Sequence, residues 1–95
     1  MEEGIKSYII KPHARFEMGR RQITEEQVKN VLLNPEEVLM VSAYRKIYQS
    51  VLLFKGEAYL YRVFVDSYTN PPEVVTAYRT SKVKKYRRQA NEGDL

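Results

Sequence analysis

Residues 57–88 decide the fold of this chain, and they read EAYLYRVFVD, SYTNP, PEVVTAYRT and SKVKKYRR in order. Two runs rich in Val, Tyr and Phe flank a polar loop with a proline pair, a pattern typical of a hairpin of two buried strands. Arg62 lies in the middle of the first run. Because a buried strand rarely carries a charge without a partner or a task, Arg62 is either a functional residue or half of an ion pair with Asp66 or a glutamate.

A dense basic segment follows the second run. The ten residues 79–88 carry six positive charges and no negative charge, in a chain whose formal net charge is +4. Such a cluster favours a polyanionic partner, although the solvated face of a short helix explains it equally well. Our working hypothesis is that the hairpin forms the floor of an anion-binding site and that the basic segment forms its rim.

Composition sets the broad class of the protein. The 95 residues are predicted to form one domain (1–95), and 43% of them are apolar, which is enough for a small core. No apolar run reaches the roughly 20 residues of a membrane span, and the N-terminus lacks the features of a secretory signal. There is no cysteine. We therefore expect a cytoplasmic protein with no disulfide and no membrane partner.

The residue types argue against several kinds of active site. A single histidine, His13, leaves a hydrolase triad incomplete. The carboxylates fall mostly at helix starts and turns, and the four glycines are isolated. This pattern predicts neither a metal cluster nor a phosphate-binding glycine loop. We expect the protein to need no metal and no cofactor.

The rest of the chain alternates helix and strand signals. Thr24 with Gln27 three residues on is a capping-box pattern, and Lys55-Gly56 is a tight-turn pair. Pro12 suits a first helical turn. The predicted elements are a strand over 5–10, helices over 13–22 and 25–33, strands over 37–43 and 45–54, the two strands of the opening hairpin, and a short helix over 81–88 with Ser81 as its cap.

This order predicts a two-layer α+β domain. Strands joined by short turns pair antiparallel, and two N-terminal helices on one face of such a sheet leave the other face open. Counting back from the turns places Gln49 opposite Arg62 and Arg62 opposite Thr76, so that one polar row crosses three strands. Arg45 and Tyr78 share that face. The opposite face carries the predicted core residues Leu52, Phe54, Tyr59, Tyr61, Val63, Val65, Val75 and Ala77.

Three segments resemble the RelE/ParE toxin superfamily, and within it the small relatives close to BrnT. They are HARFEMGRRQITEEQV (13–28), LYRVFVD (60–66) and VVTAYRTSKVKKY (74–86). The resemblance covers almost the whole chain. It implies a RelE-like domain with the two layers described above. For function it implies metal-independent cleavage of mRNA, often on the ribosome, by the toxin of a prokaryotic type II toxin–antitoxin pair.

The resemblance also implies roles for particular residues. It matches Arg62 to the central-strand arginine that holds the scissile phosphate, and Arg79 to the basic residue that ends the last strand. Tyr86 matches a C-terminal tyrosine that stacks on a base or aids proton transfer. A basic pair upstream of the central strand is replaced here by the single Lys55.

The partners implied by the resemblance are RNA, on or off the ribosome, and a cognate antitoxin protein. The fold alone does not establish nuclease activity, because ParE relatives act on gyrase. Two alternatives therefore stay open beside the nuclease. One is a non-catalytic module that binds nucleic acid or protein, and the other is a ParE-like gyrase inhibitor.

RNA cleavage without a metal needs two proton transfers and one charge neutralisation. A 2′-hydroxyl loses a proton, the charge of a phosphorane is neutralised, and the leaving 5′-oxygen gains a proton. The planar fork of Arg62 suits charge neutralisation. His13 is the one imidazole able to act as base or acid, unless it only caps a helix or faces solvent. Tyr78 and Tyr86 either stack or pack. The predicted RNA contacts are Arg45, Gln49, Tyr78, Lys82, Lys84, Lys85, Arg87 and Arg88.

Overall fold

The computed structural model describes residues 3–87. Its elements are β1 (Ile9–Ile10), α1 (Pro12–Arg20), α2 (Glu25–Leu33), β2 (Glu37–Met40), β3 (Arg45–Phe54), β4 (Glu57–Asp66), β5 (Glu73–Thr80) and α3 (Val83–Tyr86). Within this range the fold is α+β, with three helices and a five-stranded sheet in the order β1-β5-β4-β3-β2. Arg88, a predicted RNA contact, lies outside the described residues.

The sheet is mixed. Strands β2, β3, β4 and β5 pair antiparallel in succession, but β1 pairs with β5 in parallel. The prediction of a wholly antiparallel sheet is therefore wrong at this edge. The short-turn rule does not apply to β1, because the whole chain between β1 and β5 separates them and serves as the crossover that a parallel pair needs.

The first strand is shorter than predicted, because the residues before it bind a helix and not the sheet. The N–H of Ile5 donates to the carbonyl oxygen of Leu32 at 2.7 Å, which satisfies a free carbonyl at the end of α2. Gly4 permits this approach, since a Cβ there would lie 2.2 Å from the carbonyl oxygen of Leu33. The chain joins the sheet only at Ile9.

The β3–β4 hairpin has the predicted register. Lys55 and Gly56 form its turn with φ values of 53° and 83°, as the two-residue turns of tight hairpins require. Phe54 then pairs with Glu57, and the ladder places Gln49 directly opposite its predicted partner on β4.

The β4–β5 hairpin has a different register from the one predicted. Asp66 pairs with Glu73, which makes the loop one residue longer than counted, and the ladder shifts by one more residue between Phe64 and Val65, so that Arg62 lies opposite Tyr78 and not opposite Thr76. A β-bulge adds a residue to one strand, which counting from the turn cannot reveal. Since the displacement along β5 is even, Thr76 still shares the face of Arg62.

The loop between the helices is set by the end of α1. The helix begins at Pro12 and ends in a Schellman turn, in which Gln22 has a left-handed φ of 57°. The N–H of Ile23 donates to the oxygen of Met18 at 2.8 Å, and that of Gln22 to the oxygen of Gly19 at 3.3 Å. The chain therefore reverses at once and enters α2.

The start of α2 follows the predicted capping box. The N–H of Gln27 donates to the hydroxyl of Thr24 at 3.1 Å, and the side chain of Gln27 accepts the N–H of Thr24 at 2.9 Å. Both bonds satisfy N–H groups that a helix start leaves free. The helix then spans the predicted residues 25–33.

Helices and strands share a buried apolar cluster. Val74 belongs to it, in place of the predicted Val75, because the bulge changes which residue of β5 faces inward. The cluster excludes the alternating strand residues that include Gln49 and Arg62. Its helix and loop members are Ala14, Met18, Ile23, Val28, Val31 and Leu32, and its strand members are Tyr48, Tyr61, Val63, Val65, Val74 and Ala77.

The last helix, α3, is one turn long and starts later than predicted. Its N-cap position is Lys82, without a side-chain cap, so the prediction that Ser81 caps it is wrong. The preceding turn is held instead by Thr80, whose hydroxyl accepts the N–H of Lys82 at 3.1 Å.

Candidate functional site: a buried arginine in a polar row

A polar row crosses four strands of the sheet. Glu37 on β2, Gln49 on β3, Arg62 on β4 and Tyr78 on β5 occupy directly paired positions. The Nε2 of Gln49 donates to Oε1 of Glu37 at 2.6 Å. Arg62 donates from Nε to Oε1 of Gln49 at 2.9 Å and from Nη1 to the hydroxyl of Tyr78 at 2.7 Å. These four residues are called the polar row below.

Arg62 is a buried cation without a carboxylate partner in the described chain. Its exposed fraction is 7%, and within residues 3–87 no salt bridge reaches it. Asp66, one of its two proposed partners, binds Arg45 instead. The ion-pair interpretation with Asp66 is therefore wrong, and oxygens of neutral side chains hold the guanidinium in place.

Aromatic rings surround the same guanidinium. Its carbon lies 4.6 Å from the ring centroid of Tyr86 and 5.8 Å from those of Phe64 and Tyr78. Ring faces attract a cation, and more strongly where water is excluded. The rings and the two hydrogen bonds together offset part of the cost of burying the charge of Arg62.

Residues 81–87, called the covering segment below, lie over the polar row. The Nε2 of Gln49 donates to the backbone oxygen of Tyr86 at 3.1 Å, and Arg87 pairs with Glu36 at 3.0 Å. The face that we expected to be open is therefore covered. This face also carries Ile47 and Leu60, which are buried, and a face with apolar side chains gains free energy from being covered.

Arg45 lies on the same face as Arg62 but is already engaged. Its Nε and Nη2 donate to the two carboxylate oxygens of Asp66 at 2.6 and 3.0 Å. This bidentate pair holds the pKa of Asp66 below its usual value, chiefly through the hydrogen bonds from Arg45. An RNA contact by Arg45 would compete with Asp66.

Arg79 lies on the other face of the sheet from Arg62. It pairs with Tyr61, a member of the apolar cluster, and its guanidinium carbon lies 3.5 Å from the ring centroid of Phe54. Tyr78 already points to the polar row, so the period of two in a strand predicts this separation. The structure does not bring Arg62 and Arg79 together, and the catalytic role of Arg79 stays a prediction.

His13 makes its contacts away from the polar row. It lies in the first turn of α1, its side chain is 77% exposed, and its Nε2 is 3.8 Å from Oε2 of Glu17. No contact joins it to the polar row in the described part of the chain. Its role as base or acid therefore stays a prediction that this geometry does not favour.

The lysines of the basic segment lie on the covering segment. Lys82, Lys84 and Lys85 are exposed, and the Nζ of Lys85 lies 5.3 Å from the ring centroid of Tyr86. Lys85 therefore lies beside the ring that stacks on Arg62, whereas no contact between the described residues places Lys82 or Lys84 over Arg62. Arg87 differs from them, because its guanidinium binds Glu36.

Sequence reasoning missed Glu37 as a member of the polar row. The segment 37–43 was predicted as a strand from an ambiguous pattern, so no face was assigned to its residues. The signal that would have found Glu37 is its exact pairing with Gln49. Arg21, which was not among the predicted site residues, lines a cleft with Tyr59, Tyr78 and Arg79.

No three His, Cys, Asp or Glu side chains within residues 3–87 lie close enough together to hold a metal ion. No helix in that range is long and apolar enough to cross a membrane.

These features define a class: a small α+β domain whose mixed sheet carries a buried arginine under a basic covering segment. The chain belongs to the family described as Domain of unknown function (DUF4258), whose model matches residues 10–79. The matched region contains the whole polar row and ends before the covering segment. No curated protein and no solved structure matches the chain.

Proposed function

We propose that this protein is the toxin of a prokaryotic type II toxin–antitoxin pair and a metal-independent endoribonuclease that cleaves mRNA. One observation carries the proposal: Arg62 is buried as a cation in the polar row with no salt bridge in the described chain. A site that keeps such a charge at a cost in stability is suited to an anionic ligand.

The polar row prepares Arg62 for a phosphate. The bonds to Gln49 and Tyr78 fix the guanidinium plane through Nε and Nη1. The N–H groups of Nη2 have no hydrogen-bond partner among the described residues. They are free to donate to the oxygens of a scissile phosphate, where a desolvated guanidinium neutralises the phosphorane best.

Two tyrosines supply further functions in this proposal. The hydroxyl oxygen of Tyr78 accepts a hydrogen bond from Arg62, so its proton is left to donate to the leaving 5′-oxygen, while the proton of the attacking 2′-hydroxyl passes to water. Tyr86 stacks on Arg62 in the present arrangement. When RNA enters, its ring is placed to stack on a base.

The layer arrangement supports a RelE-like fold. Residues of α1 and α2 share one buried cluster with the strand residues that alternate with the polar row. We propose that both N-terminal helices cover one face of the sheet, as in RelE-like toxins, and that the polar row forms the catalytic face.

Access to Arg62 requires the covering segment to move. Tyr86 holds it through a backbone hydrogen bond to Gln49 and by stacking on Arg62, and Arg87 holds it through a surface pair with Glu36. The surface pair contributes about 0–1 kcal/mol. RNA, or the ribosome that presents it, must replace the contacts to Gln49 and Arg62 as it displaces the segment.

The test is an RNA cleavage assay in EDTA with purified protein, run with and without ribosomes. We expect a 5′ fragment that ends in a 2′,3′-cyclic phosphate. A matched RNA with a single 2′-deoxynucleotide at the cleaved position should stay intact, because it lacks the attacking hydroxyl. Cleavage of the deoxy substrate, or no cleavage in either condition, would contradict the proposal.

A non-catalytic RNA-binding module is the second candidate. It is favoured by the position of His13, the one imidazole, which is exposed on α1 and makes no contact with the polar row in the described chain. On this alternative the cleavage assay shows no product with or without ribosomes. A separate binding measurement with the same RNA shows an affinity that falls as salt rises.

A further inference from the structure

The outer edge of β5 is only partly covered. Strand β1 pairs with Glu73 and Val74 of β5, so residues 76–80 have no strand partner on that side within the described chain. A free edge presents backbone N–H and C=O groups that need other partners. Side chains from the turn after α1 supply one of them.

Arg21 covers part of this free edge. Its Nη1 donates to the carbonyl oxygen of Ala77 at 2.9 Å, and its Nη2 lies 2.9 Å from Oε1 of Glu17. Arg20 also binds Glu17, and its hydrogen bond is the main reason that the pKa of Glu17 lies below its usual value. The carboxylate is thus shared by two arginines and offsets only one of their charges.

Arg79 stands beside Arg21 with its charge uncompensated. Stacking on Phe54 fixes its plane, with 3.5 Å between the guanidinium carbon and the ring centroid. Its Nη1 lies 3.5 Å from the carbonyl oxygen of Gln22, at the limit of a hydrogen bond. No carboxylate pairs with it among residues 3–87. Its planar fork is therefore available to an anion.

Arg21 and Arg79 line an open cleft of about 390 Å³ together with Tyr59 and Tyr78. We propose that this edge cleft binds a nucleotide. The guanidinium groups bind its phosphate, since their planar forks match phosphate oxygens. A tyrosine ring stacks on its base, since every base offers a π-face. The volume suits the proposal, because pockets for small ligands begin at about 300 Å³.

The edge cleft is distinct from the site of Arg62, and its occupation does not depend on cleavage. Tyr78 connects the two, because its hydroxyl bonds Arg62 while the residue also lines the cleft. The bound phosphate has two sources with the same chemistry, a free mononucleotide or one nucleotide of an RNA strand. An experiment can separate them.

The test is isothermal titration calorimetry of the whole chain with adenosine 5′-monophosphate, adenosine and a short oligoribonucleotide. We expect the monophosphate to bind and adenosine to bind far more weakly. Arg79→Gln should weaken binding by about tenfold, the scale of one charge-assisted hydrogen bond. Arg79→Lys should lose part of the affinity, because it keeps the charge without the planar fork.

Arg20→Gln is the matched control. It removes the same charge and the same contact to Glu17 as Arg21→Gln, but Arg20 does not line the edge cleft. We expect Arg21→Gln to weaken the affinity for the monophosphate, and Arg20→Gln to change that affinity by no more than about twofold. If Arg21→Gln lowers the melting temperature through loss of the bond to Ala77, the two Arg79 variants alone test the edge cleft.

The outcomes separate the sources of the phosphate. Binding of both the monophosphate and the oligoribonucleotide, each weakened by Arg79→Gln, supports a cleft that holds one nucleotide of a strand. Binding of the monophosphate alone supports a free nucleotide. No binding of the monophosphate, or binding that Arg79→Gln leaves unchanged, would overturn the proposal. Neither result bears on whether Arg62 cleaves RNA.

Discussion

At the scale of single residues, environment decides the role that each charge can have. Arg45, Arg62 and Arg79 are all arginines on strands of the sheet, yet Arg45 is neutralised by Asp66, Arg79 stacks on an aromatic ring, and Arg62 is buried with direct hydrogen bonds to neutral side chains. Strand position and the family resemblance predicted that all three cations act on RNA. Of these three arginines, Arg62 is the one that is buried and lacks a salt bridge in the described chain.

Two glycines give a matched test of backbone packing. A Cβ at Gly4 would lie 2.2 Å from the oxygen of Leu33, whereas one at Gly19 meets nothing within 4 Å. We expect Gly4→Ala to lower the free energy of unfolding by about 1–3 kcal/mol. Gly19→Ala, in α1, should raise it by about 0.5–1 kcal/mol. Urea denaturation of both variants measures this, and equal effects would contradict the described packing of the N-terminal segment.

At the scale of elements, signals that act over a few residues predicted the structure well. The capping box at Thr24 and the turn at Lys55-Gly56 define their elements, because each depends only on nearby backbone groups. The bulge next to Val65 and the parallel pairing of β1 could not be predicted, because they depend on how distant strands meet. The pairing of Gln49 with Arg62 in the candidate site was therefore predictable, whereas the pairing of Arg62 with Tyr78 was not.

The position of the covering segment could not be predicted from local signals either. The basic residues of 79–88 were readable as a rim, but nothing local indicated that Tyr86 folds back onto Arg62. The face below carries the buried apolar residues Ile47 and Leu60, and the Gln49 amide donates to the backbone oxygen of Tyr86. Such a choice depends on total burial and not on any motif.

Loosening the covering segment should raise activity toward RNA. Glu36→Gln removes the charge that holds Arg87 at 3.0 Å, while the oxygen that accepts the N–H of Val51 is retained. Since a surface pair contributes about 1 kcal/mol at most, we expect up to about a fivefold gain in cleavage rate or RNA affinity.

Glu25→Gln is the control for that variant, because it removes the same charge and another surface pair, with Arg15, away from the covering segment. Equal gains in Glu36→Gln and Glu25→Gln would mean that net charge alone is responsible. A loss of activity in Glu36→Gln would mean that the segment assists RNA binding in its present position.

At the scale of the whole molecule, charge is unevenly placed. The lysines of the covering segment are exposed, while the arginines on the sheet are mostly engaged by partners. Exposed lysines bind phosphates by releasing counterions, which makes the affinity for RNA depend on salt. The surface above Arg62 is thus suited to hold a strand near the proposed site.

Neutralising Lys82, Lys84 and Lys85 together to Gln should flatten the plot of log affinity against log salt. Each lost contact to a single strand lowers the slope by about 0.7, so three contacts give a change of about 2. Fluorescence anisotropy with a labelled RNA measures the slope. The control neutralises Lys6, Arg15 and Lys29, which are exposed outside the covering segment; an equal flattening there would contradict a localised contact surface.

The most direct measurement is the replacement of Arg62 by methionine, with cleavage rate and free energy of unfolding determined on the same sample. Loss of the bonds to Gln49 and Tyr78 is opposed by relief from burying a cation, so we expect stability to change by less than about 2 kcal/mol. The cleavage rate should fall by about a hundredfold or more, as when one contact to transition-state charge is removed. Full activity in a variant that unfolds far more easily would contradict the proposed role, because Arg62 would then serve the fold and not the reaction.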